Sequence, residues 1–346
     1  MTYIPITHRG PGLRLHLNEN TAGCSPSVLA AIRDLGREDM SFYPDYGPMT
    51  AECERWLGVA AGWVQLTNGL DEGLHVVAQY ARLVSDSSTF DAIIVEPAFE
   101  MYAACTEAAG GRVVRIAPGP DFEFPSGAVR SAISSRTRLI YLTDPNNPTG
   151  LPIPGGVVEE LAAAAPGALV LVDEAYADFS GRTFIGPLLD RHRNLVVGRT
   201  FAKAHGLAAL RVGAIVAHPA TLDPLRRILP PYSLNVCAIQ ALGAALNDRA
   251  YLNWYVAESA QSRRLIYEFC ERRGLRFWPS EANFVLLHVG KAASEITDIL
   301  ATRGIFIRDR SSQPGCDGCI RITAGILEHT AACLAALEDT LASVDH

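Results

Sequence analysis

Of the 30 lysines and arginines in this 346-residue chain, 28 are arginine, and the two lysines are Lys203 and Lys291. A chain that uses arginine wherever a cation suffices keeps lysine where an amine must lose its proton and act as a nucleophile. Lys291 follows Gly290 at the start of an expected surface helix and reads as a solvated charge. Lys203 lies in Thr200-Phe201-Ala202-Lys203-Ala204-His205-Gly206, just past the apolar run Asn194 to Val197. Three more polar clusters follow apolar runs: Glu96-Pro97-Ala98-Phe99, Asp144 through Gly150, and Asp173-Glu174-Ala175-Tyr176. Taken singly, Asn-Pro-Thr-Gly is a turn, and Asp-Glu after a strand is a helix cap or a magnesium site. Together they answer to pyridoxal phosphate. That cofactor needs a lysine for covalent attachment, a carboxylate on its ring nitrogen, donors to its phenolic oxygen, a ring to stack on and a cup for its phosphate. Lys203, Asp173, Asn147 with Tyr176, and Phe99 meet the first four needs. The expected helix start at Gly69 to Glu72 offers backbone N–H groups to a phosphate, and Thr200 and Arg211 complete the cup.

These clusters need a scaffold that brings strand ends together. Periodicity predicts helices over 28–35, 49–59, about 67–84, 101–109, 126–134 and 156–164, interleaved with strands over 92–95, 112–116, 139–142, 169–172, 195–197 and 212–217. Such alternation implies an α/β fold with a mostly parallel sheet and helices on both faces. Ligands in these sheets bind beyond the carboxyl ends of the strands, where all four clusters fall. Past residue 245 the texture changes to a charged helix over 251–273, strands over 282–287, 305–307 and 319–323, and helices over 292–303 and 327–342. The expected organisation is a large cofactor-binding domain over 38–245 and a smaller α+β domain built from 246–346 with the N-terminal segment 1–37.

With these motifs the chain resembles the fold-type I pyridoxal-phosphate aminotransferases, most closely the histidinol-phosphate aminotransferases. The resemblance runs nearly end to end, through Leu17-Asn18-Glu19-Asn20, Tyr43-Pro44-Asp45, Asn68 to Glu72, Glu96 to Tyr102, Pro145 to Gly150, Val172 to Tyr176, Thr200 to Gly213, Gly304 to Asp309 and Cys319 to Thr323. It implies Lys203 as the cofactor's covalent lysine and as the acid/base of the 1,3-proton shift. Asp173 becomes the ring-nitrogen partner, and Asn147 and Tyr176 contact the phenolic oxygen. Phe99 takes the stacking position, where the family often has tyrosine. The backbone at Leu70 and Asp71, with Thr200 and Arg211, would hold the cofactor phosphate. Tyr43 matches a tyrosine that reaches the phosphate from the partner subunit, which implies a homodimer with shared sites. Arg321 matches the arginine for a substrate α-carboxylate, a bidentate task suited to guanidinium; Arg308 matches one that binds a substrate phosphate; Asn20 and Tyr102 also fall at substrate positions. Two departures stand out: Thr21-Ala22-Gly23 where the family continues with proline, an aromatic and glycine, and Ala202 where serine is usual. The implied reaction is transamination of histidinol phosphate with 2-oxoglutarate. The alternatives are an aminotransferase for aromatic or secondary-metabolism amino acids, or a threonine-phosphate-type decarboxylase. A regulator on the same fold would carry a fused DNA-binding domain, for which residues 1–24 are too few.

The remaining composition is exclusionary. A net charge of −7 argues against a nucleic-acid binder. No run of about 18 apolar residues predicts a membrane span, and Met1 to Pro5 lacks the basic and apolar regions of a secretory signal, so a cytoplasmic protein is expected. Of the eight cysteines, Cys316 and Cys319 alone have ligand-like spacing. A structural zinc site wants a second such pair, so this one reads as a turn between two strands and no metal is expected. His205 reads as a neighbour of the lysine loop, and Glu174 as a residue that orients its own loop.

Overall fold

A computed structural model describes residues 11–344; the expectation for Met1 to Pro5 lies outside the described residues. The chain forms the strands β1 (Leu13–Arg14), β2 (Val64–Thr67), β3 (Asp91–Val95), β4 (Arg112–Ile116), β5 (Thr137–Thr143), β6 (Leu169–Asp173), β7 (Leu195–Thr200), β8 (Gly213–Ala217), β9 (Arg276–Trp278), β10 (Phe284–His288), β11 (Ile305–Phe306), β12 (Arg308–Asp309) and β13 (Cys319–Thr323). Seven of them make one sheet in the order β2-β8-β7-β6-β5-β3-β4. Strands β3 to β7 run parallel, β8 is antiparallel to both its neighbours, and β2 therefore runs with the majority. Strand β6 is buried at all five positions and β7 at all six, because helices cover both faces. One face packs Val170, Val172, Val197 and Leu161 into a core; the other packs Leu171, Val196, Leu74 and Val77.

From β3 the chain crosses one way to β4 and the other way to β5, β6 and β7, so the carboxyl ends of the central strands open on a crevice. Helix Gly69–Leu83 starts at the same end, two residues past β2. Gly69 has φ +69°, and a Cβ there would lie 2.5 Å from Arg211 Nη2; glycine alone lets the guanidinium come so close to the helix start.

The second sheet has the order β12-β13-β10-β9 and is antiparallel throughout. Helices Arg249–Arg273, Ala293–Thr302 and Leu327–Val344 supply its core partners Phe269, Ile296 and Leu337. Arg249–Arg273 ends where Gly274 adopts the left-handed conformation and caps the last carbonyls. β1 pairs in parallel with β11 as a separate two-stranded sheet, and the Leu15 carbonyl accepts from Thr323 N–H on β13 at 2.9 Å, which ties the segment around Leu13 to the second sheet. Helix Pro26–Arg33 behaves differently from the expectation that 1–37 joins the small domain. Val28 is buried in the core of the large sheet, against helix Val236–Asn247. Its apolar face is satisfied there, so this helix packs with the seven-stranded sheet's core. The Cys316–Cys319 turn joins β12 to β13, with both cysteines buried. No helix among the described residues is long and apolar enough to cross a membrane.

Candidate active site

At the crevice, a cavity of about 510 Å³ is lined by residues associated with both the seven-stranded and the four-stranded sheet, including Leu70, Asp71, Phe99, Asn147, Asp173, Tyr176, Thr200, Lys203, Arg211, Arg308 and Arg321. That size suits a cofactor together with a small substrate. Lys203 leaves β7 through the turn at 201–206, and its Nζ donates to the Leu17 carbonyl at 2.9 Å. Burial, with Arg321 adding repulsion, pulls its amine down to about 8, so a useful fraction is neutral near physiological pH.

Asp173 closes β6 and is buried on the cavity floor. Burial pushes its carboxyl up to about 6. Its Oδ2 accepts from the Tyr102 hydroxyl at 2.7 Å and its Oδ1 from the Ala175 N–H at 2.9 Å. A carboxylate so placed is stabilised by a cationic partner at the cavity, which a protonated ring nitrogen is. Tyr102 is itself fully buried, stacked on Tyr141 at 4.8 Å and in contact with Thr143 Oγ1 at 2.8 Å. Tyr102, expected beside the substrate, lines the cavity, and its hydroxyl is given to Asp173. Phe99 lines the cavity with its ring edge-on to Tyr102, centroids 5.7 Å apart.

Asn147 and Tyr176 both line the cavity. The Tyr176 hydroxyl accepts from Asn18 Nδ2 at 3.0 Å, and Asn147 Oδ1 accepts from Arg321 Nη1. Arg321 also donates to the His16 carbonyl at 2.7 Å and lies over the Phe284 ring at 5.1 Å. Burial, with Arg310 and Arg308 beside it, pulls its guanidinium down to about 9, which leaves it protonated at neutral pH. Arg211, held at φ +55°, pairs with Asp71 at 2.8 Å beside the helix start at Gly69. Thr200 sits at the end of β7. This cup of backbone N–H groups, one guanidinium and one hydroxyl fits a phosphate, and with Lys203 and Asp173 the residues present fit pyridoxal phosphate.

Two expected residues do not reach this cavity. Asn20 is buried, with its amide donating to the Ala204 carbonyl at 2.9 Å and accepting from Ala22 N–H at 3.0 Å; it braces the lysine loop and borders a neighbouring open cavity with Thr21 and Ala22. The Thr21 hydroxyl accepts from Ile326 N–H at 3.0 Å, so the departure at 21–23 lies beside the site and does not line it. Tyr43 is 77% exposed and stacks on Tyr232 at 4.2 Å, outside the cavity of its own chain. His205 is sealed behind the lysine loop against Trp56 and Phe201, and Glu174 pairs with Arg199 at 3.1 Å and accepts from Thr183 at 2.8 Å.

Sequence reasoning missed three contributors. Asn18 takes φ +55° and is locked by Thr323 and Asn283 under Tyr176; a left-handed asparagine has no signature in periodicity. Arg310 and Glu100 form a 3.1 Å ion pair on the cavity wall. The signal for Arg310 was present, since it stands two residues after Arg308 in an extended segment, a spacing that puts both on one face.

Comparison with known proteins accords with this geometry. Residues 11–336 match the family model described as aminotransferase class I and II. Histidinol-phosphate aminotransferase 2 of Ralstonia nicotianae is 35% identical over 346 residues, covering 96% of this chain and 90% of the relative. Histidinol-phosphate aminotransferase 1 of Cupriavidus pinatubonensis is 34% identical over 342 residues, covering 95% and 88%. The structure of histidinol-phosphate aminotransferase from Sinorhizobium meliloti in complex with pyridoxal-5'-phosphate superposes with a TM-score of 0.84 at 28% identity, covering 99% of this chain and 96% of that one. The matched region takes in every strand end that opens on the cavity, and the chain accordingly belongs to the class I and II aminotransferases, enzymes that depend on pyridoxal phosphate.

Proposed function

We propose that this aminotransferase moves the amino group of histidinol phosphate to 2-oxoglutarate, as a cytoplasmic homodimer whose sites share Tyr43. The observation that carries the donor is the pair of arginines, Arg308 and Arg321, opposite one another on β12 and β13 and lining the same cavity as Lys203. The names of the relatives support the same substrate. One guanidinium suffices for one carboxylate; a second answers to a second anionic group. Histidinol phosphate has a phosphate and no carboxylate, whereas 2-oxoglutarate and glutamate have two carboxylates, so one arginine pair serves both half-reactions.

When bound, pyridoxal phosphate supplies an electron sink conjugated to the donor's α-carbon. Asp173 would meet the ring nitrogen and, held by Tyr102, keep it protonated. Asn147 and Tyr176 would hold the phenolic oxygen, Phe99 would cover one ring face, and Leu70, Asp71, Thr200, Arg211 and the partner's tyrosine would anchor the phosphate. Lys203 Nζ, whose pKa burial pulls down to about 8, would be available above that pH as the base that moves the α-proton. Arg321 would orient the acceptor's α-carboxylate. Exposed Leu29, Met40, Phe42, Tyr43 and Tyr232 favour an apolar contact with a second copy, and a two-fold dimer is the commonest assembly.

Single-turnover spectra of holoenzyme with histidinol phosphate, phenylalanine and tyrosine test the donor. Histidinol phosphate should react with the highest kcat/KM. Arg308→Ala should lower that value by about ten- to a hundred-and-fifty-fold, the loss of one charge-assisted contact of about 1.5–3 kcal/mol, and leave the aromatic donors almost unchanged. Equal losses on all donors, or no reaction with the phosphate ester, would reject it.

A further inference from the structure

Arg308 and Arg321 are cross-strand partners, and Arg310 continues the same extended segment, its N–H donating to the Cys319 carbonyl at 2.9 Å. Residues two apart along a strand share a face, as do cross-strand partners. All three guanidiniums line the cavity. Like charges side by side on one sheet face repel. Here Arg310 and Arg321 are also buried, each with its Nε sealed from solvent and without an acceptor. Buried cations in such an array are balanced when an anion joins them. Glu100 meets part of that need: its Oε1 accepts from Arg310 Nη2 at 3.1 Å and from Gln313 Nε2 at 3.0 Å, which holds the carboxylate on the cavity wall. A singly charged carboxylate is matched by one guanidinium fork. Two buried guanidiniums facing a single carboxylate, with Arg308 on the same face, match an anion that offers several acceptor oxygens, as a phosphate monoester does.

We propose that Arg310, moderated by Glu100, is a specificity-determining residue that binds the doubly charged distal group of the amino donor, a phosphate monoester, beside Arg308. The proposal rests on the transamination reading above and assigns a residue that the reading does not use. Glu100 occupies one of Arg310's five donors and leaves the rest of the fork to the ligand. It also lowers the cluster's net charge, so that weakly charged donor ends are held less firmly than a dianion.

The two partners have opposite effects on charge, and that separates binding from mere bracing. Arg310→Gln removes a cation. Glu100→Gln keeps an oxygen for Arg310 and Gln313 to donate to, yet leaves the cluster one charge more positive. The probe is inorganic phosphate, titrated into holoenzyme whose cofactor cup is already filled, read by the cofactor's absorption and by competition with the donor. Arg310→Gln should weaken phosphate binding by about tenfold or more, whereas Glu100→Gln should tighten it several-fold. Unchanged phosphate affinity in Arg310→Gln overturns the proposal, as does a weakening in both variants, which is what a pair that only braces the wall would give. Should Arg310→Gln fail to fold, Glu100→Gln still decides, because tightening is required of it. If wild type ignores histidinol phosphate while its phosphate affinity depends on Arg310, the donor assignment falls and the subsite stands. Equal kcat/KM for histidinol phosphate in wild type and Arg310→Gln removes the subsite and leaves the donor.

Discussion

Asp173→Asn should stabilise the cofactor-free protein while disabling the enzyme. Burial lifts the Asp173 carboxyl from 3.8 to about 6. Across that window the native protein holds a proton that the unfolded chain has released, so stability falls as pH rises from about 4 to about 6 and is level above. At 1.36 kcal/mol per pH unit, keeping the buried charge costs about 3 kcal/mol at neutral pH. Asparagine has no such charge. Its oxygen can still accept from Ala175 N–H, while the Tyr102 hydroxyl turns to Thr143, and the lost contact to Tyr102 costs about 1 kcal/mol. The cofactor-free variant should therefore be about 2 kcal/mol more stable than wild type at pH 8 and about 1 kcal/mol less stable at pH 4. Urea melts of both proteins, at one protein concentration and both pH values, measure the difference. A gap that does not grow in the variant's favour between pH 4 and pH 8 would refute the burial argument. With cofactor restored the sign reverses, because the ring nitrogen loses its anionic partner. Proton removal at the α-carbon should then slow by orders of magnitude, and near-normal turnover would remove Asp173 from its role.

Lys203→Ala should lose the visible absorption of the bound cofactor, and Lys291→Ala should keep it; the reverse pattern rejects the assignment. Reattachment of cofactor to cofactor-free protein should speed up as pH rises through about 8 and level off above, because the Lys203 amine is the nucleophile and burial sets its pKa there. A profile flat from pH 6 to 10 would contradict this. Light scattering should find a dimer, and Tyr43→Phe should weaken cofactor retention without dissociating it; a fully active monomer ends the shared-site reading.

Lys203 was legible from counting alone, because a chain with 28 arginines leaves few reasons for a lysine. The alternation of apolar runs and helical patterns carried the parallel sheet, and the polar clusters at strand ends carried the cofactor. Both are local signals: a strand's burial on two faces and a turn's composition are written in a few consecutive residues. What needed the tertiary structure was convergence. Glu100 and Arg310 are separated by 210 residues, and their ion pair exists because the segment after β12 lies against the loop after β3. Tyr102 lines the cavity as its motif suggested, but only the tertiary structure shows that its hydroxyl is given to Asp173, 71 residues away in sequence. Helix Pro26–Arg33 had an apolar face that either sheet's core could have buried, and Val28 entered that of the seven-stranded one. The antiparallel insertion of β8 between β2 and β7 was equally silent, since strand direction leaves no mark on a strand's own residues. Periodicity reports what one element does with its own side chains. Which side chains from distant elements meet, and with what charge between them, depends on the pairing of whole elements, and the arginine cluster that lines the cavity with Lys203 is a product of that pairing.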